Sequence, residues 1–398
     1  MISALTRKVS VFLYVGLVIL IMADIFTAGE VRVAVSGYYG FDNLGDEAVL
    51  YSLLAALKVH CPKVRPVVLS HAPERTAALY GVQAVNRWRP GEIYRALAGA
   101  DLLISGGGSL LQDVTGLKSL LYYLGVIGLA RWLRRPVVFY AQGIGPVRSR
   151  WGRLLMRLVA NRVQLITVRD EQSARDLAAM GVIRPPVYVT ADPVLGLEPG
   201  GVDPRAGEEL LAAAGVDGGP VAGVSVREWA GFDGARRRAL AGVCDDLCRR
   251  GWRVLFIPLH YPEDLAVSRA VAALMHRPAA VLDRGLAVPQ AVSLIGRLDL
   301  LIGMRLHALI LAAVMNVPPV GIAYDPKIDR FLEQIGLCPA GRADALEYGA
   351  LREAVEKVLA DPAGCRERLA AAVAPLRDRA RRTALLTLEA AGKVRAAG

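Results

Sequence analysis

Asp299-Leu300-Leu301-Ile302-Gly303-Met304-Arg305-Leu306-His307 runs directly into the small-residue stretch Ala308 to Val314. An apolar run, a glycine and a helix-compatible run read as a strand, a tight turn and a helix start. The same nine residues put Arg305 and His307 where the first backbone N–H groups of a helix lack intrahelical partners. Unpaired amides and the helix dipole favour negative charge there. Arginine adds a planar fork suited to carboxylate or phosphate. Histidine adds a group that exchanges a proton near neutral pH. The plainer alternative is a helix start with an incidental arginine and a core histidine.

Working outward, the pattern recurs. Val31 to Ser36, Arg65 to Leu69, Asp101 to Ser105, Val137 to Ala141, Gln164 to Val168 and Val187 to Thr190 are short apolar runs bounded by turn residues. Helical segments lie between them, which predicts a parallel sheet covered on both faces. A Gly/Pro-rich stretch, Leu197 to Pro204 with Gly218-Gly219-Pro220 beyond, marks a boundary. The pattern restarts at Val221 to Val226, continues at Val254 to Pro258 and Leu298 to Ile302, and ends at Pro319 to Ile322. The expected fold class is α/β: two doubly wound, Rossmann-like domains facing a cleft, a GT-B-like arrangement. The expected divisions are an apolar extension (1–30), a first domain (31–196), a linker (197–220), a second domain (221–343) and a helical tail (344–398).

Composition narrows the function. The chain has 398 residues, of which 54% are hydrophobic and 21% charged, as in a globular protein with room for two cores. Aromatic content of 6% argues against stacking-based nucleic-acid recognition. The five cysteines form no CxxC pair, so neither a zinc site nor a disulfide framework is expected, and a reducing, cytosolic setting fits. The net charge of +11 is uneven. No acidic residue lies between Asp113 and Asp170, while Lys118 and nine arginines, Arg131 to Arg169, do. The apolar run Leu120 to Leu129 shares that window. Apolar residues beside one-sign basic charge predict peripheral contact with anionic lipid, or attraction to a diphosphate-linked substrate; a core helix with a solvated basic face is the alternative. At the N-terminus, Arg7 and Lys8 precede the apolar run Val9 to Met22. That segment reads as an anchor, a core-packing helix or an extension from an upstream start codon, and least as a cleaved secretory signal.

Three glycine-bearing loops follow strands of the first half. Gly37 to Ala48 holds Asp42, Asn43, Asp46 and Glu47; Asp46 can cap the next helix, and Asp46 or Glu47 can instead accept a proton from a sugar hydroxyl. Ser105-Gly106-Gly107-Gly108-Ser109 makes a flat loop suited to a sugar or phosphate, with Asp113 beyond it. Ala141-Gln142-Gly143-Ile144-Gly145-Pro146 repeats the theme. In the second half, Arg227, Arg305, His307 and Lys327 all fall at strand ends. The topology makes them converge on a small, multiply charged anion.

These motifs, in this order from about residue 31 to 340, resemble the polysaccharide pyruvyl transferase family, in particular the bacterial CsaB type. The matching stretches include Ser36 to Phe41 with Gly45-Asp46-Glu47-Ala48, Gly106 to Asp113, Ala141 to Pro146, Asp192-Pro193, Arg227, Gly303 to His307 and Tyr324-Asp325-Pro326-Lys327. The segment before Val31 departs from the family pattern. The resemblance implies transfer of pyruvate from phosphoenolpyruvate to a sugar as a cyclic ketal, with release of phosphate. It implies an N-acetylmannosamine acceptor in a secondary cell-wall polymer that anchors S-layer proteins, carried on a lipid diphosphate, with the enzyme at the inner face of the cell membrane.

Phosphoenolpyruvate would be a co-substrate, with no cofactor and no metal. Arg227, Arg305, His307 and Lys327 would bind the donor. His307, with Asp46 or Glu47, would move protons. Asp42, Asn43, Gly107, Gly108, Asp113 and Gln142 would bind the acceptor. The competing readings are a nucleotide-sugar glycosyltransferase of the same fold, a non-enzymatic membrane-attached saccharide binder and, weakest, a nucleic-acid binder.

Overall fold

The protein is described by a computed structural model covering residues 30–113 and 116–392. The apolar extension, apart from Glu30, lies outside the described residues. The first half builds a seven-stranded sheet from β1 (Val31–Ser36), β2 (Val64–Ser70), β3 (Gln83–Asn86), β4 (Leu102–Ser105), β5 (Val137–Gln142), β6 (Leu165–Val168) and β7 (Val187–Val189). Its order is β3-β2-β1-β4-β5-β6-β7. The second half builds a six-stranded sheet from β8 (Val221–Ser225), β9 (Arg253–Phe256), β10 (Ala280–Val281), β11 (Leu300–Gly303), β12 (Pro319–Ala323) and β13 (Gly341–Arg342), in the order β10-β9-β8-β11-β12-β13. All pairings are parallel. Two doubly wound sheets of this order define the GT-B architecture.

The strands form because helices bury both faces. Every residue of β4, β5, β8, β11 and β12 is buried, which explains why these runs are continuously apolar rather than alternating. Each sheet reverses direction between its first and fourth strands in sequence: β1 and β4 in one, β8 and β11 in the other. Ligands bind outside the carboxyl ends of strands at such switch points. The loops and helix starts after these four strands carry Asp46, Gly108, Arg227 and His307, so topology alone brings them to one place.

The two halves are tied beside that place. The Leu44 N–H donates to the Leu259 carbonyl at 2.9 Å, and His260 Nε2 lies 3.1 Å from the Phe41 carbonyl. One core cluster includes Ala48 and Val194 from the first half with Leu306, Leu309 and Met304 from the second. The tail is two helices that part company. Tyr348–Ala360 packs on the second half. Pro362–Ala390 returns to the first half, where Ala384 and Leu388 join the core under β1 and β5.

Candidate active site

The first wall of the cleft is the amino end of the helix Leu44–His60. Asn43, not Asp46, is its cap: the Asn43 side-chain oxygen accepts the Gly45 N–H at 3.2 Å. That releases Asp46 to face the cleft, where its carboxylate lies against Gly108. Burial pushes the Asp46 carboxyl above its usual range; His307, Lys327, His260 and Arg305 pull it down without cancelling the rise. Gly108 has φ +91°, a conformation that side-chain-bearing residues rarely adopt, and its carbonyl accepts the Gly143 N–H at 2.9 Å.

The second wall comes from the carboxyl ends of β8, β11 and β12. Arg305 precedes the helix Leu306–Val314, which has no side-chain cap, so its first amides stay available. The guanidinium of Arg305 grips Asp264 through Nε (2.8 Å) and Nη2. Asp264 is buried and also accepts the His260 N–H at 2.9 Å. Arg305 is therefore a positioned cation, with Nη1 left for a ligand. Arg227 donates from Nη1 to the Tyr324 hydroxyl at 2.8 Å, and its guanidinium sits 4.7 Å from that ring's centroid. Lys327 Nζ lies 3.7 Å from Asp325 and 5.4 Å from the same ring. Burial would raise the Tyr324 phenol, but Lys327, Arg227 and Arg305 outweigh it and hold it below its usual value.

His307 stands between the walls. Its Nε2 lies 3.7 Å from the buried Asp192 carboxylate, too long for a hydrogen bond but within ion-pair reach. Burial pushes Asp192 up; the His307 imidazole, Arg169 and the Val194 N–H together bring it below its usual range. Arg169 donates to Asp192 at 3.2 Å and to Ser109 Oγ at 3.1 Å, tying this carboxylate to the glycine loop. On the other side the imidazole packs on Gly45, where an added Cβ would collide with the ring. The cleft has a volume of about 490 Å³.

Asp46, Asn43, Gly108, Arg227, Arg305, His307 and Lys327 all line this cleft. Several expected residues do not. Glu47 points away: Oε1 accepts the Gly40 N–H at 2.7 Å and Oε2 the Tyr80 hydroxyl at 2.5 Å, so it organises the loop. Asp42 is exposed and paired with Arg75. Asp113 accepts the Arg148 and Ser149 N–H groups at 2.7–3.0 Å and shapes the loop after β5. Gln142 is fully buried and donates to Ser105 and Gly106. Gly107 packs on Val49 and Pro193 beneath the loop. Conversely, motif reading assigned no role to Arg169, Asp192, Asp264 or Tyr324. Two signals were present in the sequence: Asp192 and Tyr324 fall in stretches that match the family pattern, and Arg169 directly follows a strand run, as Arg227 does.

Comparison with known proteins follows the same lines. The family model for polysaccharide pyruvyl transferase matches residues 43–326. The chain belongs to that family. No curated protein matches it significantly. Among solved structures, MnaA of S. aureus, determined with UDP, superposes with a TM-score of 0.63 at 12% identity, over 88% of this chain and 94% of that one. HepE of Anabaena, in complex with UDP and glucose, gives 0.60 at 13% identity over 90% and 97%. The UDP-GlcNAc 2-epimerase of Neisseria meningitidis, bound to UDP-GlcNAc, gives 0.59 at 12% over 90% and 99%. At such identities the likeness is one of fold.

Proposed function

We propose that this polysaccharide pyruvyl transferase uses phosphoenolpyruvate as donor and forms a cyclic ketal on two hydroxyls of a sugar, an N-acetylmannosamine unit of a lipid-diphosphate-linked cell-wall precursor of the CsaB type. The observation that carries the donor is the convergence of Arg227, Lys327 and the free Nη1 edge of Arg305 on one cleft, opposite Asp46. Phosphoenolpyruvate has a carboxylate and a phosphate on adjacent groups, and three cations fixed by Tyr324, Asp325 and Asp264 match both.

The chemistry runs in two additions. A proton reaches C3 of the enol, leaving C2 cationic, and a sugar hydroxyl attacks C2 and loses its proton. The C2–O bond to phosphate then breaks, the second hydroxyl adds and loses its proton, and the ring closes. The two hydroxyl protons balance the one gained at C3 and the one taken by phosphate. His307, held by Asp192 and Gly45, delivers the proton to C3 or to the departing phosphate. Asp46, facing the cleft opposite the cations and with its carboxyl raised by burial, receives the acceptor's proton. Asn43, Gly108 and Ser109 lie where the acceptor enters.

The test is incubation with phosphoenolpyruvate and a panel of soluble and lipid-linked disaccharides, scoring phosphate release together with ketal on the acceptor. Both appear in step if the donor is right. Turnover of a UDP-sugar with phosphoenolpyruvate left intact would make the enzyme a glycosyltransferase instead.

A further inference from the structure

The helices Leu117–Trp132 and Arg150–Ala160 pack against each other on the first half. Their inner faces, with Leu120, Tyr123, Ile127 and Met156, are buried in the core. Their outer faces are apolar as well. Leu117, Leu121, Leu154 and Leu158 are exposed, and Trp132 and Trp151 are 73% and 70% exposed. Two tryptophans and four leucines on one outer face exceed the scattered apolar exposure of an ordinary surface.

Charge tells what covers that face. On the second helix Trp151, Leu154 and Leu158 fall on one stripe, and Arg150, Arg153 and Arg157 on the adjoining one. Lys118 and Arg131 border the stripe of the first helix, and no acidic residue occurs anywhere from 114 to 169. An apolar stripe edged by one-sign basic charge is the pattern of a surface lying in the headgroup layer of an anionic bilayer. The first helix also reaches the cleft: Ser119 and Tyr123 line it, while Leu117 and Leu121 point outward.

We infer that this two-helix face docks on an anionic lipid surface and holds the cleft mouth at the bilayer. The inference deepens the proposed lipid-linked acceptor, but docking itself requires no turnover. The fold offers a clean perturbation. Gly125 and Gly128 are exposed on the outer face of the first helix, and a side chain added at either meets nothing within 4 Å. Glutamate is also the better helix former.

The experiment is co-sedimentation of the full chain with vesicles of equal parts phosphatidylglycerol and phosphatidylcholine, against vesicles of phosphatidylcholine alone. Wild type is expected to sediment with the first, to be released by high salt, and to lose about fivefold in affinity for each of Arg150 and Arg153 changed to alanine. Gly125→Glu with Gly128→Glu should abolish sedimentation with a melting temperature no lower than wild type and unchanged phosphoenolpyruvate turnover on a water-soluble acceptor. Wild type remaining in the supernatant with both vesicles overturns the inference. So does a glutamate pair that still binds, or wild type that proves to be a dimer which the glutamate pair splits, since the face is then a self-association surface. If pyruvyl transfer is wrong but docking right, vesicle binding survives while turnover is absent.

Discussion

Replacing Gly45 by alanine tests how His307 is positioned. A Cβ at Gly45 would lie 2.9 Å from His307 Cγ and 3.2 Å from its Cβ, and nearer still to Nδ1. Comfortable carbon–carbon contact begins near ~3.5 Å, so the ring must retreat by roughly half an ångström to an ångström. The backbone of Gly45 cannot yield in its place, because Asn43 caps it and Leu44 is bonded to Leu259 across the domains. Overpacking of this kind costs about 1–3 kcal/mol, and alanine in a helix returns up to about 1, so stability should fall by roughly 0–2 kcal/mol. Activity should suffer far more, since a misplacement of about 1 Å can cost ~100-fold. The assay is kcat for phosphate release from phosphoenolpyruvate beside urea unfolding. A double-mutant cycle isolates the cause: in a His307→Ala background, Gly45→Ala should cost nothing further. Wild-type kcat in Gly45→Ala, or a full additional loss in the double variant, would refute the link.

Other outcomes follow from the same geometry. Asp264→Ala strands the Arg305 charge and should destabilise by about 3–5 kcal/mol in urea unfolding, while Asp264→Leu with Arg305→Met should be nearly neutral for stability yet without donor binding. Arg227→Ala removes a charge-assisted contact of about 1.5–3 kcal/mol and should raise the KM for phosphoenolpyruvate roughly tenfold to 150-fold, read from initial rates. Asp46 has a folded-state value raised above its unfolded one, so its stabilising contribution is full at acid pH and is lost as pH rises through the folded value. Asp46→Asn should therefore be more stable than wild type at neutral pH, lose that advantage below the ordinary carboxyl range, and turn over poorly. Equal stability at pH 7 by urea unfolding would contradict the buried carboxylate.

Strands buried on both faces announce themselves by continuous apolar runs, which is why Val31–Ser36 and the runs at 137–142 and 221–225 were legible to within a residue or so. The edge strands β3, β10 and β13 were not: β3 is half-polar and the other two are two residues long, so neither periodicity nor composition marks them. Cations at strand ends were readable because topology alone carries Arg227, Arg305 and Lys327 to the cleft. Which carboxylate enters the cleft, Asp46 or Glu47, was not, because that depends on caps. Asn43 taking the capping role freed Asp46, and two hydrogen bonds turned Glu47 inward. Likewise nothing in Asp264's own neighbourhood of sequence points to Arg305, 41 residues on.

The most direct measurement is the mass and proton NMR spectrum of the acceptor after reaction with phosphoenolpyruvate in D₂O. Proton delivery to C3 from exchangeable groups predicts a ketal on the acceptor whose methyl carries deuterium, formed in step with phosphate. Phosphate accompanied only by free pyruvate, or an acceptor extended by a sugar from a UDP-sugar donor, would contradict pyruvyl transfer.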